Sequence, residues 1–142
     1  MTIYPPDADP ELIELLQSGS GGALGVKMGF EFLELGSELS IGRMPVEGNT
    51  QPYGLVHGGA HVVLAETLGS AAAMIHAGPG RTAVGIEVSA SHSGSASSGW
   101  VTGTCEALSL GRTITIHQVT LRNDDGKRIS TVRITNILRD RL

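Results

Sequence analysis

Glu66 is the only Asp, Glu, Lys or Arg in residues 57–77, a run made otherwise of small, apolar and a few polar residues. A carboxylate loses several kcal/mol of hydration when its charged form leaves water, so it must be neutralised, paired or used. One interpretation is structural, with Glu66 paired to a nearby His or Arg that fixes the packing. The other is that Glu66 belongs to a functional site.

Two glycines, Gly58 and Gly59, open the same run directly after His57. The first N–H groups of a helix have no partner inside the helix and lie at the positive end of its dipole. Such an end can stabilise a developing oxyanion. Ser70 follows Glu66 by one turn, where its hydroxyl can reach the carboxylate or a water.

The spacing of these residues has a consequence for assembly. Gly58 and Glu66 are eight residues apart, about 12 Å along a helix, which is too far for both to act on one acyl carbon. A second copy whose helix runs antiparallel would bring its Glu66 to this Gly58. If both residues act together, the spacing predicts an obligate homodimer with two equivalent sites.

Helix signals define two helical segments. Residues 57–77 are apolar or small on nearly all sides and end at Gly78-Pro79-Gly80, so we expect one long buried helix. A short helix is expected at residues 10–18, with Asp9 as its N-cap and Gly19 as its stop, followed by a flexible connector over residues 19–22.

The remaining pattern is that of β-strands. Strands are expected at residues 29–35, 38–44, 82–92, 100–108, 112–122 and 128–138. The apolar positions of the fifth strand change parity near His117 and Gln118, which predicts a bulge there. The predicted class is α+β, with an antiparallel sheet wrapped around one long central helix.

Composition excludes several classes of protein. A chain of 142 residues with 40% apolar and 17% charged residues is expected to form one soluble domain, with no membrane-spanning run. The net charge of −4 argues against nucleic-acid binding, although residues 81–142 hold eight of the ten basic residues and can serve a small polyanion. The single cysteine, Cys105, and the absence of a visible signal segment favour the cytoplasm.

The residues around the helix start resemble a known family. Residues 51–60 read Gln-Pro-Tyr-Gly-Leu-Val-His-Gly-Gly-Ala, and Leu64-Ala65-Glu66 and Ser70 follow. This array resembles the active-site segment of hotdog-fold acyl-CoA thioesterases. It is most similar to the PaaI-related branch that acts on 4-hydroxybenzoyl-CoA and 1,4-dihydroxy-2-naphthoyl-CoA and carries Glu on the central helix. The resemblance covers roughly residues 25–138 and continues through the segments Val84–Glu87, His92, Leu110–Arg112 and Asp125–Arg128.

The resemblance implies catalytic roles. The Gly58 N–H would polarise the thioester carbonyl, and Gln51 and His57 would orient that carbonyl or the entering helix. Glu66 of the partner chain would attack as a nucleophile or activate a water as general base. Ser70 would line the water and acyl side of the pocket.

The resemblance also implies what the protein binds. His92 would line the acyl side with Ser70, and Gly111, Arg112 and Thr113 would meet the pantetheine or nucleotide part of coenzyme A. The substrate would be an acyl-CoA, aromatic in this branch, with no separate cofactor and no metal. The assembly implied is a homodimer, paired into a dimer of dimers.

One segment of the chain departs from this resemblance. Residues 93–99 are small and neutral where relatives often carry Arg or aromatic residues, which predicts a looser acyl pocket, fewer phosphate contacts or a mobile loop. Within a single domain overall, the resemblance implies an N-terminal helix with its connector at residues 1–24 and the hotdog thioesterase domain at residues 25–142.

The residues allow three alternatives to a thioesterase to be compared: a metal site, an enoyl-CoA hydratase or dehydratase, and a non-catalytic acyl-CoA-binding protein. His57 and His61 are spaced to bind a metal together, but Glu66 lies too far along the helix and the His-Glu-x-x-His order is missing. An enoyl-CoA hydratase or dehydratase would place an Asp-His pair around the helix at another spacing. A non-catalytic acyl-CoA-binding protein would use Glu66 as a structural group only.

Overall fold

The computed structural model describes residues 1–17 and 21–141. Within these residues the chain forms three helices and six strands. In chain order they are α1 (Pro10–Gln17), α2 (Gly22–Met28), β1 (Glu31–Glu34), β2 (Leu39–Pro45), α3 (Gly58–Ala77), β3 (Arg81–His92), β4 (Trp100–Leu110), β5 (Ile114–Arg122) and β6 (Arg128–Asp140).

The six strands form one antiparallel sheet in the order β1-β2-β4-β5-β6-β3. Helix α3 lies across one face of this sheet and contacts five of its strands. The predicted α+β architecture, an antiparallel sheet wrapped around one long central helix, is confirmed. Four of the predicted strands are a few residues longer or shorter than expected, and all six exist.

The core lies between α3 and the sheet. Leu64 and Leu68 of α3 are fully buried against β-strand residues such as Val119 and Leu121. The helix comes so close to β6 that a Cβ at Gly69 would lie 2.2 Å from Cγ2 of Ile134. By length and composition α3 could cross a membrane, but half of it is buried inside the fold, where it is the core helix.

The N-terminal region differs from its prediction. The cap of α1 is as expected, because Asp9 Oδ1 accepts the Glu11 N–H at 3.1 Å. The predicted stop at Gly19 and half of the predicted connector, residues 19 and 20, lie outside the described residues. The structure adds an unpredicted helix, α2, which begins after Gly21 in the left-handed region (φ 89°) and crosses the expected segment boundary at residue 24.

The predicted bulge in β5 was wrong. Burial alternates along all of β5, with Thr115 and His117 facing inward beside Val119. The bulge lies instead in the neighbouring strand β4, between Ala107 and Ser109. The bulge was predicted because only apolar residues were taken as facing inward. His117 also faces inward and is buried, with its Nε2 at 2.8 Å from the Ser37 carbonyl oxygen.

The two edges of the sheet are unlike each other. At the β1 edge, Ile3 pairs with the short strand through bonds to the Leu33 carbonyl and the Leu35 N–H. At the other edge, the twelve residues of β3 pair only with β6, and nine of them are exposed. A long unpaired edge strand is a template for pairing with another chain.

Candidate active site

The start of α3 is organised by His57 and Gly58. His57 is extended (φ −69°, ψ 134°) and caps the helix, with its Nδ1 accepting the Gly59 N–H at 2.8 Å. The Gly58 N–H has no hydrogen-bond partner within residues 1–17 and 21–141. This unpaired N–H at the positive end of a twenty-residue helix is a donor ready for an oxyanion.

His92, at the end of β3, lies directly beside this helix start. A Cβ at Gly58 would be 2.8 Å from His92 Nε2, so only glycine leaves room for the ring. The other ring nitrogen, Nδ1, is 2.8 Å from Ser130 Oγ, and that hydroxyl donates to the Ser91 carbonyl at 3.3 Å. The predicted residues His57, Gly58 and His92 are thus brought together.

His61 lies behind His92 and was considered from the sequence only as a metal ligand. The two ring centroids are 5.2 Å apart, and His61 is 2% exposed. Burial, with a smaller contribution from the charge of His92, lowers the pKa of His61 to about 4. His61 is therefore neutral at physiological pH. Within the described part of the chain no group of three His, Cys, Asp or Glu residues can hold a metal.

Gln51 lies in the loop that leads into α3. The side-chain oxygen of Gln51 accepts the Tyr53 N–H, and the backbone N–H of Gln51 donates to the Leu55 carbonyl at 2.8 Å. The loop is anchored to the next segment, because the Val56 N–H donates to the Ala96 carbonyl at 2.8 Å. Gln51 thus shapes the approach to the helix start.

Glu66 lies half-buried in the middle of α3, against the edge of the sheet. Its Oε1 would be 2.9 Å from a Cβ at Gly85, so the carboxylate rests on the bare backbone of β3. None of the ion pairs among the described residues includes Glu66. The structural interpretation, a carboxylate paired with His or Arg, therefore finds no such partner within residues 1–17 and 21–141.

Ser70 binds a residue that sequence reasoning missed. Its hydroxyl donates to Oδ1 of Asn136 at 3.1 Å rather than to Glu66. Asn136 is fully buried on β6, opposite Gly85 in the strand register, and its Nδ2 has no partner. Glu66, Ser70, Gly85 and Asn136 thus form one polar cluster beneath the mid-helix.

An apolar cleft of about 470 Å³ opens beside Glu66. It runs between α3 and the N-terminal helices. Its lining consists of Leu15, Leu16, Gly21, Gly22, Leu24, Val63, Glu66, Thr67, Ser70 and Met74. Among the described lining residues Glu66 is the one charged group, so its carboxylate adjoins an apolar volume.

The predicted coenzyme A residues lie at the other end of α3. The Gly111 carbonyl is 2.8 Å from Nε2 of His76, in the last turn of the helix. The Arg112 carbonyl accepts from the Arg81 guanidinium at 3.1 Å, and the Thr113 carbonyl accepts the Leu138 N–H at 2.7 Å. These backbone bonds fix the turn and leave the Arg112 side chain exposed.

One chain therefore holds the predicted residues in separate groups. The helix start has His57, Gly58 and His92, the mid-helix has Glu66 and Ser70, and the turn Gly111–Thr113 lies near the helix end. Because α3 is one continuous helix, Gly58 and Glu66 are about 12 Å apart along its axis. Within a single chain, Gly58 and Glu66 are too far apart to contact the same substrate atom.

The neutral stretch 93–99 is anchored at several points. The Gly94 N–H donates to the Ile129 carbonyl at 3.2 Å, and Ala96, only 7% exposed, accepts the bond from Val56. These bonds tie the stretch to strand β6 and to the loop before α3, and its mobility stays a prediction from the sequence.

The functional residues that sequence reasoning missed share one property. Asn136, Ser130 and helix α2 reach the site only through the sheet register or through helix packing. Gly85 lies in the segment Val84–Glu87 quoted for the resemblance, but its contact with Glu66 was not predicted. For His61, its position one turn after His57 was visible, but its contact with His92 was not.

The chain is similar to known proteins in sequence. A family model of the thioesterase superfamily matches residues 53–130. The proofreading thioesterase EntH of Cronobacter turicensis is 41% identical over 124 residues, which cover 87% of this chain and 90% of that protein.

Two crystal structures share the fold. Thioesterase HI1161 from Haemophilus influenzae is 34% identical, with a TM-score of 0.83 over 91% of this chain and 90% of its own. A mutant of thioesterase PA1618 from Pseudomonas aeruginosa is 36% identical, with a TM-score of 0.85 over 95% and 98%.

Proposed function

This chain belongs to the thioesterase superfamily and is a thioester hydrolase, and we propose that it cleaves an acyl-CoA to the free acid and coenzyme A. Glu66, a half-buried carboxylate without a cationic partner among the described residues, carries the proposal, because it lines an apolar cleft.

The oxyanion donor is the Gly58 N–H. It has no partner in the described part of the chain, and the helix dipole adds to its positive charge. A thioester carbonyl placed there is polarised, and the tetrahedral oxyanion formed from it is stabilised. His57 supports this role by fixing the first turn through its bond to Gly59.

Glu66 of the partner subunit supplies the second half of the chemistry. As a general base it takes a proton from water, and the hydroxide adds to the carbonyl carbon. The tetrahedral intermediate then expels the thiolate, which takes up a proton to give the coenzyme A thiol. As a nucleophile it adds directly, and the C–S bond breaks to leave a mixed anhydride that water hydrolyses. Single turnover in heavy-oxygen water separates the two routes, because only the anhydride route puts label into Glu66.

The shared site follows from the helix length and the open sheet edge. Two α3 helices running antiparallel about an axis beside Val62 set Glu66 opposite Gly58 of the partner subunit. The open edge of strand β3, with Val84 and Ile86 exposed, supports an interface on this side. Pairing of two dimers and a cytoplasmic location stay predictions from the sequence.

Substrate selection rests on both ends of the thioester. The exposed Arg112 on its fixed turn can form paired bonds to a phosphate of coenzyme A. We propose an aromatic acyl group, because the segment from Gln51 to Ser70 resembles the branch that acts on aryl-CoA thioesters.

Replacement of Glu66 by Gln tests the proposal. This isosteric change removes the base or nucleophile, so we expect kcat for benzoyl-CoA to fall about 10²- to 10⁴-fold with little change in KM. Steady-state release of the free thiol is the measurement. Activity within several-fold of the wild type would remove Glu66 from the chemistry. If the wild type bound the ester without turnover, the result would favour the non-catalytic acyl-CoA-binding protein. If it hydrated an enoyl-CoA without releasing thiol, the result would favour the hydratase.

Mixing two inactive variants tests the shared site. Gly58→Pro removes the N–H at a helix position whose backbone tolerates proline, and its side chain also displaces the His92 ring of the same chain, so this variant is inactive on both counts. Random reassociation with Glu66→Gln makes half of the dimers mixed, each with one intact site. We therefore expect about a quarter of the wild-type activity to return. No recovery in verified mixed dimers would place both residues in one chain.

A further inference from the structure

The N-terminal helices α1 and α2 build one wall of the cleft beside Glu66. Leu15 and Leu16 come from α1, and Leu24 comes from α2. We propose that α1 and α2 form the acyl-selecting wall of the active site and that Leu24 limits the size of the acyl group. This inference rests on the proposed acyl-CoA thioesterase function.

The position of the cleft relative to Glu66 supports this assignment. On one side, the carboxylate touches β3 at Gly85. On the other, Thr67 lies under the chain at Gly21, where a Cβ would be only 2.4 Å from its Cγ2. The cleft therefore lies between the reacting carboxylate and the N-terminal helices. An acyl group whose carbonyl carbon is at Glu66 has this volume next to it.

The chemistry of the lining defines the ligand class. Apart from Glu66, the hydroxyls of Thr67 and Ser70 are its polar side chains, and the rest is aliphatic or glycine. The volume of about 470 Å³ is within the range of small-molecule pockets. A group that fills it must be uncharged and apolar, such as an aryl ring or an alkyl chain.

The wall is held firmly enough to discriminate by size. In α1, Leu12 and Leu16 are buried in the core. In α2, the helix end is fixed by the Phe30 N–H on the Gly25 carbonyl at 2.9 Å and by Asn49, whose amide donates to the Met28 carbonyl at 2.8 Å. A fixed wall rejects oversized groups, whereas a loose one would adapt to them.

The exposure of the wall residues points to an occupant. Leu24 is 54% exposed and Leu15 is 57% exposed, although both are large aliphatic side chains next to the cleft. An apolar acyl group that enters the cleft would cover part of this surface and gain about 25 cal/mol for each Å² removed from water.

Leu24→Trp is the test, with Val26→Trp as its matched control. Val26 belongs to the same helix and is 59% exposed, but it does not line the cleft. The substrates are acetyl-CoA and benzoyl-CoA, compared by kcat/KM. We expect Leu24→Trp to lower the benzoyl-to-acetyl ratio at least tenfold and Val26→Trp to leave it within twofold. Leu24→Ala should move preference toward a bulkier naphthoyl ester.

The outcomes separate this inference from the function on which it rests. A wild type that hydrolyses none of the esters overturns both. Hydrolysis by the wild type with an unchanged ratio in both Leu24 variants overturns the N-terminal wall alone. An equal change in Leu24→Trp and Val26→Trp would also overturn it, because a general disturbance of α2 would then explain the effect. Thermal unfolding of each variant verifies that the proteins compared are folded.

Discussion

At the scale of single residues, the site depends on two glycines whose lack of a side chain leaves space for neighbouring groups. Gly58 leaves room for the His92 ring, and Gly85 leaves room for the Glu66 carboxylate. In both places a side chain would occupy the position of a functional group. Asn136 adds a buried amide that holds Ser70 at 3.1 Å. The Glu66 carboxylate is thus positioned by steric contacts and by its helix.

Gly85→Ala separates positioning from stability. The new Cβ would lie 2.9 Å from Glu66 Oε1, the free end of a flexible side chain, and at an ordinary 3.6 Å from Ile134. The carboxylate can move away, so stability should change by less than about 1 kcal/mol. Because an ångström-scale displacement of a reacting group is costly, kcat should fall roughly tenfold to a hundredfold.

Gly42→Ala is the control for that variant. Its Cβ would meet Cδ2 of Leu68 at 2.9 Å and the Glu31 carbonyl at 3.1 Å, away from Glu66. It should lower the melting temperature and leave kcat per folded molecule unchanged. If Gly85→Ala behaved in the same way, Gly85 would have no positioning role.

At the scale of elements, α3 belongs to the core and also carries the proposed catalytic carboxylate. Its buried face packs on the sheet, and its remaining face carries Glu66 and Ser70 toward the cleft. Strand β3 has a comparable double use. One edge pairs with β6, and its other edge is open for a second chain.

The open edge of β3 makes a prediction about assembly. Ile86 is 55% exposed and lies at the bulge between Gly85 and Glu87. Ile86→Asp would place a charge where the proposed dimer buries an apolar side chain. We expect dimer dissociation to become at least about a hundredfold easier, since an unpaired buried charge costs several kcal/mol, and activity to fall with the dimer fraction.

Leu108→Asp is the matched control for the edge strand. Leu108 is 57% exposed and also lies at a bulge, between Ala107 and Ser109 of β4, an inner strand of the sheet between β2 and β5. Sedimentation velocity and thiol release are measured on both variants over a range of concentrations. A fully active monomer of Ile86→Asp would contradict the shared site.

At the scale of the whole molecule, the buried histidines tie stability to pH. His61 has a pKa lowered to about 4 by burial and by the charge of His92, whereas in the unfolded chain it is about 6.5. Between these values the unfolded chain binds more protons, so the free energy of unfolding falls as the pH falls. Above about pH 6.5 His61 is neutral in both states and has no such effect.

His61→Leu should flatten this dependence. Allowing for solvent screening, we expect His61 to account for roughly 1 to 2 kcal/mol of the stability lost between pH 7.5 and pH 5. Urea unfolding of the wild type and the variant at both values is the measurement. His117, whose pKa is also lowered by burial, leaves a residual dependence in each. An identical pH difference in the two proteins would refute the assignment to His61.

The sequence alone determined what depends on neighbours in the chain. Residues 58–77 form a helix because small and apolar residues continue over five turns between the capping residue His57 and the glycine stop at Gly78, and the spacing of Gly58 and Glu66 follows from its periodicity. Alternation and turn residues likewise determined the strands. The α+β class therefore followed from local patterns alone.

Only the tertiary structure decided which distant residues meet. Gly85 and Asn136 are 51 positions apart, and the register of β3 on β6 sets them opposite each other beneath Glu66. Helix α2 has three unfavourable features for prediction, namely its short length and two glycines, and it is held by contacts with the rest of the fold. The parity of β5 was misread because burial of Thr115 and His117 is set by packing. Local periodicity carries no information on such long-range contacts, because they depend on how separate elements pack together.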